Sequence, residues 1–223
     1  MRSVCRAMTD CCSAAGYRWA FSERRARREA RRYERRGLDA TSRRIVEILK
    51  AQGLDGRTLL EVGGGVGALQ IELLKAGVTR AVSIELTPTY EAAANGLLRR
   101  AGLQDRVERR LMDFAEPATD VEAADIVIMN RVICCYPDMP KLAGAAAAHT
   151  RQMLVLSFPK ERWWTRTGLT LSNLVLWATR RRFQVFVHRP EQILATAEHF
   201  GLRTTLNQAG FFWQVAALRR IGQ

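Results

Sequence analysis

Between Thr58 and Phe158, short runs that are mostly apolar, 107–112 being the charged exception, alternate with amphipathic segments, and this alternation constrains the fold more than any other feature of the chain. Residues 58–62, 81–86, 107–112, 124–129 and 153–158 read as strands. Residues 68–75, 90–100 and 141–149 read as helices, the first two stopped by Gly77 and Gly102. A strand that is apolar on both sides must be covered on both faces, which a mostly parallel sheet between two helical layers achieves. The tail departs from this rhythm. Residues 191–200 are helical, and 203–206 and 212–218 are strands joined through Gly210. A link that short makes a hairpin, so the last strand is antiparallel. Upstream, Ser22 caps a helix that Gly37 ends, and a second helix follows Thr41 or Ser42 and ends at Gly53. The first twenty residues show no clear period.

The first strand hands over to its helix through Glu61-Val62-Gly63-Gly64-Gly65-Val66-Gly67. Glycines there let the backbone approach a ligand closely, and the helix N-terminus offers free N–H groups. Gly63, Gly65 and Ala68 also fit the G-x-G-x-x-G/A spacing of dinucleotide sites, so the turn alone does not choose its ligand. Three features tilt the choice. Glu61 stands immediately before the glycines, badly placed to face a pyrophosphate and well placed for a cation such as the ammonium and sulfonium of S-adenosylmethionine (SAM). Too little chain follows to build a separate domain for hydride transfer. The closing hairpin is foreign to dinucleotide folds. Glu85 ends the second strand, where a carboxylate accepts hydrogen bonds from both ribose hydroxyls, and Asp113 ends the third.

An acid followed by G-x-G-x-G, here Glu61, Gly63, Gly65 and Gly67, resembles the signature of class I SAM-dependent methyltransferases. The resemblance implies a Rossmann-like α/β sheet of seven strands, mostly parallel with an antiparallel last strand, and helices on both faces. It also implies that Asp113 meets the adenine amino group and that Phe114 packs on the ring. The cofactor set is then Glu61, Gly63, Gly64, Gly65, Gly67, Glu85, Leu86, Asp113, Phe114 and Asn130. Asp125-Ile-Val-Ile-Met-Asn-Arg-Val-Ile-Cys-Cys-Tyr-Pro-Asp138, Leu154-Val-Leu-Ser-Phe-Pro-Lys160 and Val185-Phe-Val-His188 are similar to stretches of the magnesium-protoporphyrin IX methyltransferases, which esterify a tetrapyrrole propionate. The similarity runs from about Tyr17 to Arg219. Cys135 stands where that family carries a histidine.

Methyl transfer asks for alignment of the nucleophile, and for a base only when the acceptor is a hydroxyl or amine. Substrates of this fold sit beyond the C-terminal strand ends, which points to Asn130, Arg131, Cys134, Cys135 and Tyr136. Arg131 is a candidate partner for a substrate carboxylate; Tyr136 joins it in the catalytic set, and His188 is the candidate base. The expected activity is O-methylation of a small, apolar or carboxylate-bearing acceptor. The alternatives are an RNA methyltransferase and a catalytically inactive SAM-binding protein. Asn130-Arg131-Val132-Ile133 argues against the first of these, because base-amino methylation calls for an N/D-P-P-Y/F sequence there.

The formal charge of +13 concentrates upstream, with eleven arginines against four acids between Arg18 and Arg44. That helix reads as a solvated face, as a lid over the SAM site or as a phosphate-contacting surface, but it lacks the interleaved aromatics suited to stacking on bases. Residues 1–54 are therefore read as a helical extension or lid, and 55–223 as the methyltransferase domain. Residues 162–182 place tryptophans at both ends of an apolar run and arginines on its flanks. This suits core packing or a dimer interface, a pocket cover or a helix lying on a membrane surface, and is too polar to span. Five cysteines, two pairs of them adjacent, make a poor disulfide framework and a poor zinc site, so reduced thiols, no metal and a cytoplasmic location are expected.

Overall fold

The computed structural model describes residues 13–116 and 120–222. Its strands are β1 (Thr58–Val62), β2 (Arg80–Glu85), β3 (Val107–Leu111), β4 (Ala124–Asn130), β5 (Thr150–Pro159), β6 (Leu202–Ala209) and β7 (Trp213–Arg220). They form one sheet in the order β3-β2-β1-β4-β5-β7-β6. β1 to β5 pair in parallel, while β7 runs antiparallel to both β5 and β6. The α/β Rossmann-like class therefore stands, with the antiparallel hairpin at one edge.

Eight helices accompany the sheet among the described residues: α1 (Ala14–Ala20), α2 (Glu23–Arg36), α3 (Ala40–Lys50), α4 (Ala68–Lys75), α5 (Glu91–Ala101), α6 (Met139–Ala148), α7 (Trp163–Ala178) and α8 (Pro190–His199). Successive strand side chains point to opposite faces, and both faces are filled. Leu59, Ile126, Ile128 and Val155 pack with Ile45 and Leu49 of α3, Leu73 of α4 and Leu98 of α5. Their neighbours Leu60, Val127, Met129 and Leu154 pack with Leu142 of α6 and Ile193 of α8. This two-sided burial is the physical cause of the continuous apolar runs.

Three local expectations change. α1 forms within a stretch without obvious period, because Ser13 accepts from Gly16 N–H and Tyr17 is buried on its inner side. Ser22 is the N-cap residue of α2 but makes no side-chain capping bond. α3 is capped by Asp39 and not by Thr41 or Ser42, since the Asp39 carboxylate takes both of their backbone N–H groups. Cys5, Cys11 and Cys12 lie outside the described residues.

Candidate active site

From β1 the chain crosses outward to β2 and β3, and then returns to build β4 and β5 on the other side of β1. Connections that diverge from two adjacent strands leave a crevice beyond their C-terminal ends, the usual ligand position in such sheets. A cavity of about 870 Å³ opens there. The glycine turn forms part of its wall. Gly63 and Gly65 adopt left-handed φ values of 66° and 60°, and Gly63 N–H is bonded to Ile84 O at 2.8 Å. A Cβ on Gly64 would sit 2.5 Å from Glu61 Oε2, and one on Gly63 would sit 2.6 Å from Val132 Cγ2. Gly67 is not on the wall. With φ at 76° it is the N-cap of α4.

The acids behind the turn are buried. Glu61 is 1% exposed, and its Oε2 has no hydrogen-bond partner. Burial, reinforced by the charge of Glu85, raises the Glu61 carboxyl to about 8; burial raises Glu85 to about 7. Glu85 Oε1 accepts from Gly65 N–H at 2.5 Å. The arginine that props this arrangement was not singled out in the sequence. The side chain of Arg109 on β3 is 5% exposed, pairs with Glu91 at 2.8 Å and donates to Gly65 O at 3.2 Å and Ser83 Oγ at 3.1 Å. The Val-Glu-Arg-Arg-Leu strand hid it among other charges. Two acids inside one wall, one of them with an unsatisfied oxygen, fit a cationic ligand, and SAM carries an ammonium and a sulfonium beside its ribose. Arg109→Ala leaves Glu91 and the turn without their partner. It is expected to cost on the order of 3 kcal/mol, about 10 °C in melting temperature by calorimetry.

Glu61, Gly63, Gly64, Gly65, Glu85, Leu86, Asp113, Phe114 and Asn130 all line the one cavity. Asp113 lies two residues beyond β3, where its Oδ2 accepts from Tyr136 Oη at 3.0 Å. Burial, with that bond to Asp113, pushes the Tyr136 phenol upward, so the hydroxyl keeps its proton and donates a hydrogen bond to Asp113.

Another part of the cavity wall is organised around Arg131. Ser157 Oγ donates to Asn130 Oδ1 at 2.6 Å, Asn130 Nδ2 to Ser42 Oγ at 3.2 Å, and Ser42 Oγ to Asp39 Oδ2 at 2.9 Å. Arg131 closes the chain with an ion pair to Asp39 Oδ1. Burial alone would raise the Asp39 carboxyl, but the Arg131 guanidinium together with the hydrogen bonds from Ser42 holds the group below its usual range. The guanidinium stacks 5.0 Å from the Trp213 ring centre. Arg131 is also held at φ 63°, a left-handed conformation uncommon for a residue with a side chain, and its buried Nε has no partner. Val132, Pro159, Leu169, Phe183, Val185, Phe212 and Trp213 supply apolar walls.

Above the crevice, α1 and α2 contribute Tyr17, Phe21, Arg25, Glu29 and Tyr33 to the cavity wall. Tyr17 Oη donates to Cys135 O at 2.6 Å, and Tyr17 and Phe21 meet Phe183 edge-on at 5.7 and 5.6 Å. Cys134 and Cys135 line the cavity with Sγ atoms 3.7 Å apart, and Cys135 keeps the Cys134 thiol protonated. His188 is not brought to the wall. Its Nε2 lies 3.1 Å from Tyr136 O, and a carbonyl only accepts, so Nε2 carries the proton and braces the loop.

Residues 25–211 match a family model described as a methyltransferase domain. The ribosomal protein L11 methyltransferase of Enterobacter sp. (strain 638) is 31% identical over 94 residues, covering 42% of this chain and 31% of that protein. Its counterpart in Pectobacterium carotovorum subsp. carotovorum (strain PC1) is 30% identical over 112 residues, covering 48% and 38%. The chain thus spans about a third of the length of the curated relatives it matches. Among solved structures, the magnesium protoporphyrin IX methyltransferase of Synechocystis PCC 6803 with bound SAH superposes with a TM-score of 0.67 at 19% identity, covering 81% of each chain. An O-methyltransferase family protein from Burkholderia thailandensis gives 0.64 at 18% identity, covering 81% of this chain and 56% of that one.

Proposed function

The chain belongs to the methyltransferase domain family as a class I, SAM-dependent enzyme, and from that premise we propose that it methylates an oxygen of a small, apolar, carboxylate-bearing acceptor. Arg131 carries this reading. It presents a guanidinium, oriented by Asp39 and Trp213, on the wall of the same cavity that the glycine turn lines. A fixed guanidinium suits bidentate pairing with a carboxylate. When bound, SAM supplies an electrophilic methyl: the acceptor oxygen forms the C–O bond as the S–CH3 bond breaks, and the sulfonium becomes the neutral thioether of S-adenosylhomocysteine.

A carboxylate acceptor needs no base, and three of the wall acids are already committed. Asp39 is held by Arg131, Glu29 by Arg25 and Asp113 by Tyr136. A protein acceptor, such as the ribosomal protein in the names of the curated relatives, finds less support in such a wall where its nucleophile is an amine or hydroxyl that must lose a proton. α1 and α2 act as the lid, excluding water from the transfer.

A panel of apolar carboxylic acids, short RNAs and ribosomal protein L11, assayed for S-adenosylhomocysteine release, tests this. Turnover with the acids and a base-labile methyl ester product are expected; turnover confined to RNA or protein removes the proposal. Arg131→Leu is expected to lower kcat/KM about 10- to 100-fold, mostly through KM. His188→Ala should stay within about tenfold, whereas loss of a true base costs roughly 100- to 10,000-fold.

A further inference from the structure

α7 turns its apolar side outward. Thr165, Leu169, Asn173 and Leu176 form its inner face, with Leu169 on the cavity wall and the Asn173 amide bonded both ways to the Val185 backbone at 2.7 and 2.9 Å. At 100° per residue, Trp163, Leu171, Leu174, Val175 and Trp177 fall on the opposite arc, and all are 57–79% exposed. No charged residue interrupts that arc. Phe211, 89% exposed in the β6–β7 turn, extends the patch through its contact with Trp164 at 5.7 Å. A helix facing only water would carry its polar residues there.

The charge around the patch is of one sign. No Asp or Glu occurs between Glu161 and Glu191, while Arg162, Arg166, Arg180, Arg181, Arg182 and Arg189 do. Glu161 itself is paired with Arg166 at 3.3 Å. An apolar face edged by tryptophans and arginines complements one kind of surface: acyl chains beneath anionic headgroups. No helix among the described residues is long and apolar enough to cross a bilayer.

We propose that α7 seats this protein on the surface of a membrane containing anionic lipids, with Trp163, Leu171, Leu174, Val175 and Trp177 at the acyl boundary and the flanking arginines against phosphate. Leu169 on the inner face then places the acceptor end of the cavity beside the bilayer, where an apolar acceptor concentrates. The docking itself does not depend on which acceptor is used.

The test is co-sedimentation of the full chain with phosphatidylcholine vesicles, with and without phosphatidylglycerol, at low and high salt. Binding to the anionic vesicles, reduced by salt and accompanied by a blue shift of tryptophan emission, is the expected result. The double variant Leu174→Glu, Val175→Glu should lower the partition coefficient at least about tenfold. Its melting temperature and SAM affinity should match the parent, since neither side chain reaches the cavity wall. Equal partition of parent and variant, or no preference for anionic vesicles, overturns the proposal. So does a dimer in size-exclusion chromatography that the variant dissociates while the parent ignores vesicles, which would assign the face to a second copy of the chain.

Discussion

Glu61→Gln is expected to raise the melting temperature of the free protein at pH 8 by roughly 5 °C and, at the same pH, to weaken SAM binding about 100-fold. Both effects have one cause. The Glu61 carboxylate is fully enclosed, and one of its oxygens has no partner. Burial then disfavours its charge, and the neighbouring Glu85 adds to the cost. Neutralising Glu61 relieves the fold and removes the counter-charge that a cationic ligand needs. Thermal melts and calorimetric titrations of parent and variant side by side check the opposed signs. A variant that melts lower and binds SAM normally would make Glu61 a purely structural residue.

SAM affinity should rise with pH by up to about tenfold per unit for each acid that must ionise, levelling above about pH 8. Glu61 is raised to about 8 and Glu85 to about 7 from an ordinary value of 4.5. A carboxyl raised on folding holds more protons folded than unfolded. Its contribution to the stability of the free protein is therefore greatest below about 4.5 and declines as pH climbs to about 8. A cationic ligand that needs the ionised form reverses this trend, because binding expels the proton. Calorimetry in buffers of different ionisation enthalpy reads that proton release directly. In Glu61→Gln the dependence above pH 7 should flatten, and an affinity independent of pH in the parent would place the ligand elsewhere.

Much of this architecture was legible in the sequence because its causes are local. Two-sided burial leaves continuous apolar runs, as in Ala124–Asn130, and a close backbone approach leaves glycines at 63, 64 and 65. Acids at the strand ends, Glu61 and Glu85, reach the crevice simply because parallel strands end together. What was hidden depends on contacts between distant segments. Asp39 meets Arg131 across 92 residues, and Trp213 stacks on the same guanidinium from β7. Tyr17 reaches the Cys135 carbonyl from a helix with no visible period. Arg109 resembled its exposed strand neighbours until the sheet buried it under the glycine turn. The partner of His188, a candidate base in the sequence, was hidden in the same way: the fold turns its Nε2 to the Tyr136 carbonyl.

The central claim is that the glycine turn and its two buried acids form a SAM site. Calorimetric titration of the intact protein with SAM at pH 8, repeated with Glu85→Ala, tests it most directly. One site per chain is expected, with proton release on binding, and affinity about 100-fold weaker in the variant, since hydrogen bonds to a charged acceptor are each worth roughly 1.5–3 kcal/mol. No heat of binding from the intact protein, or equal affinity in the two, would contradict it.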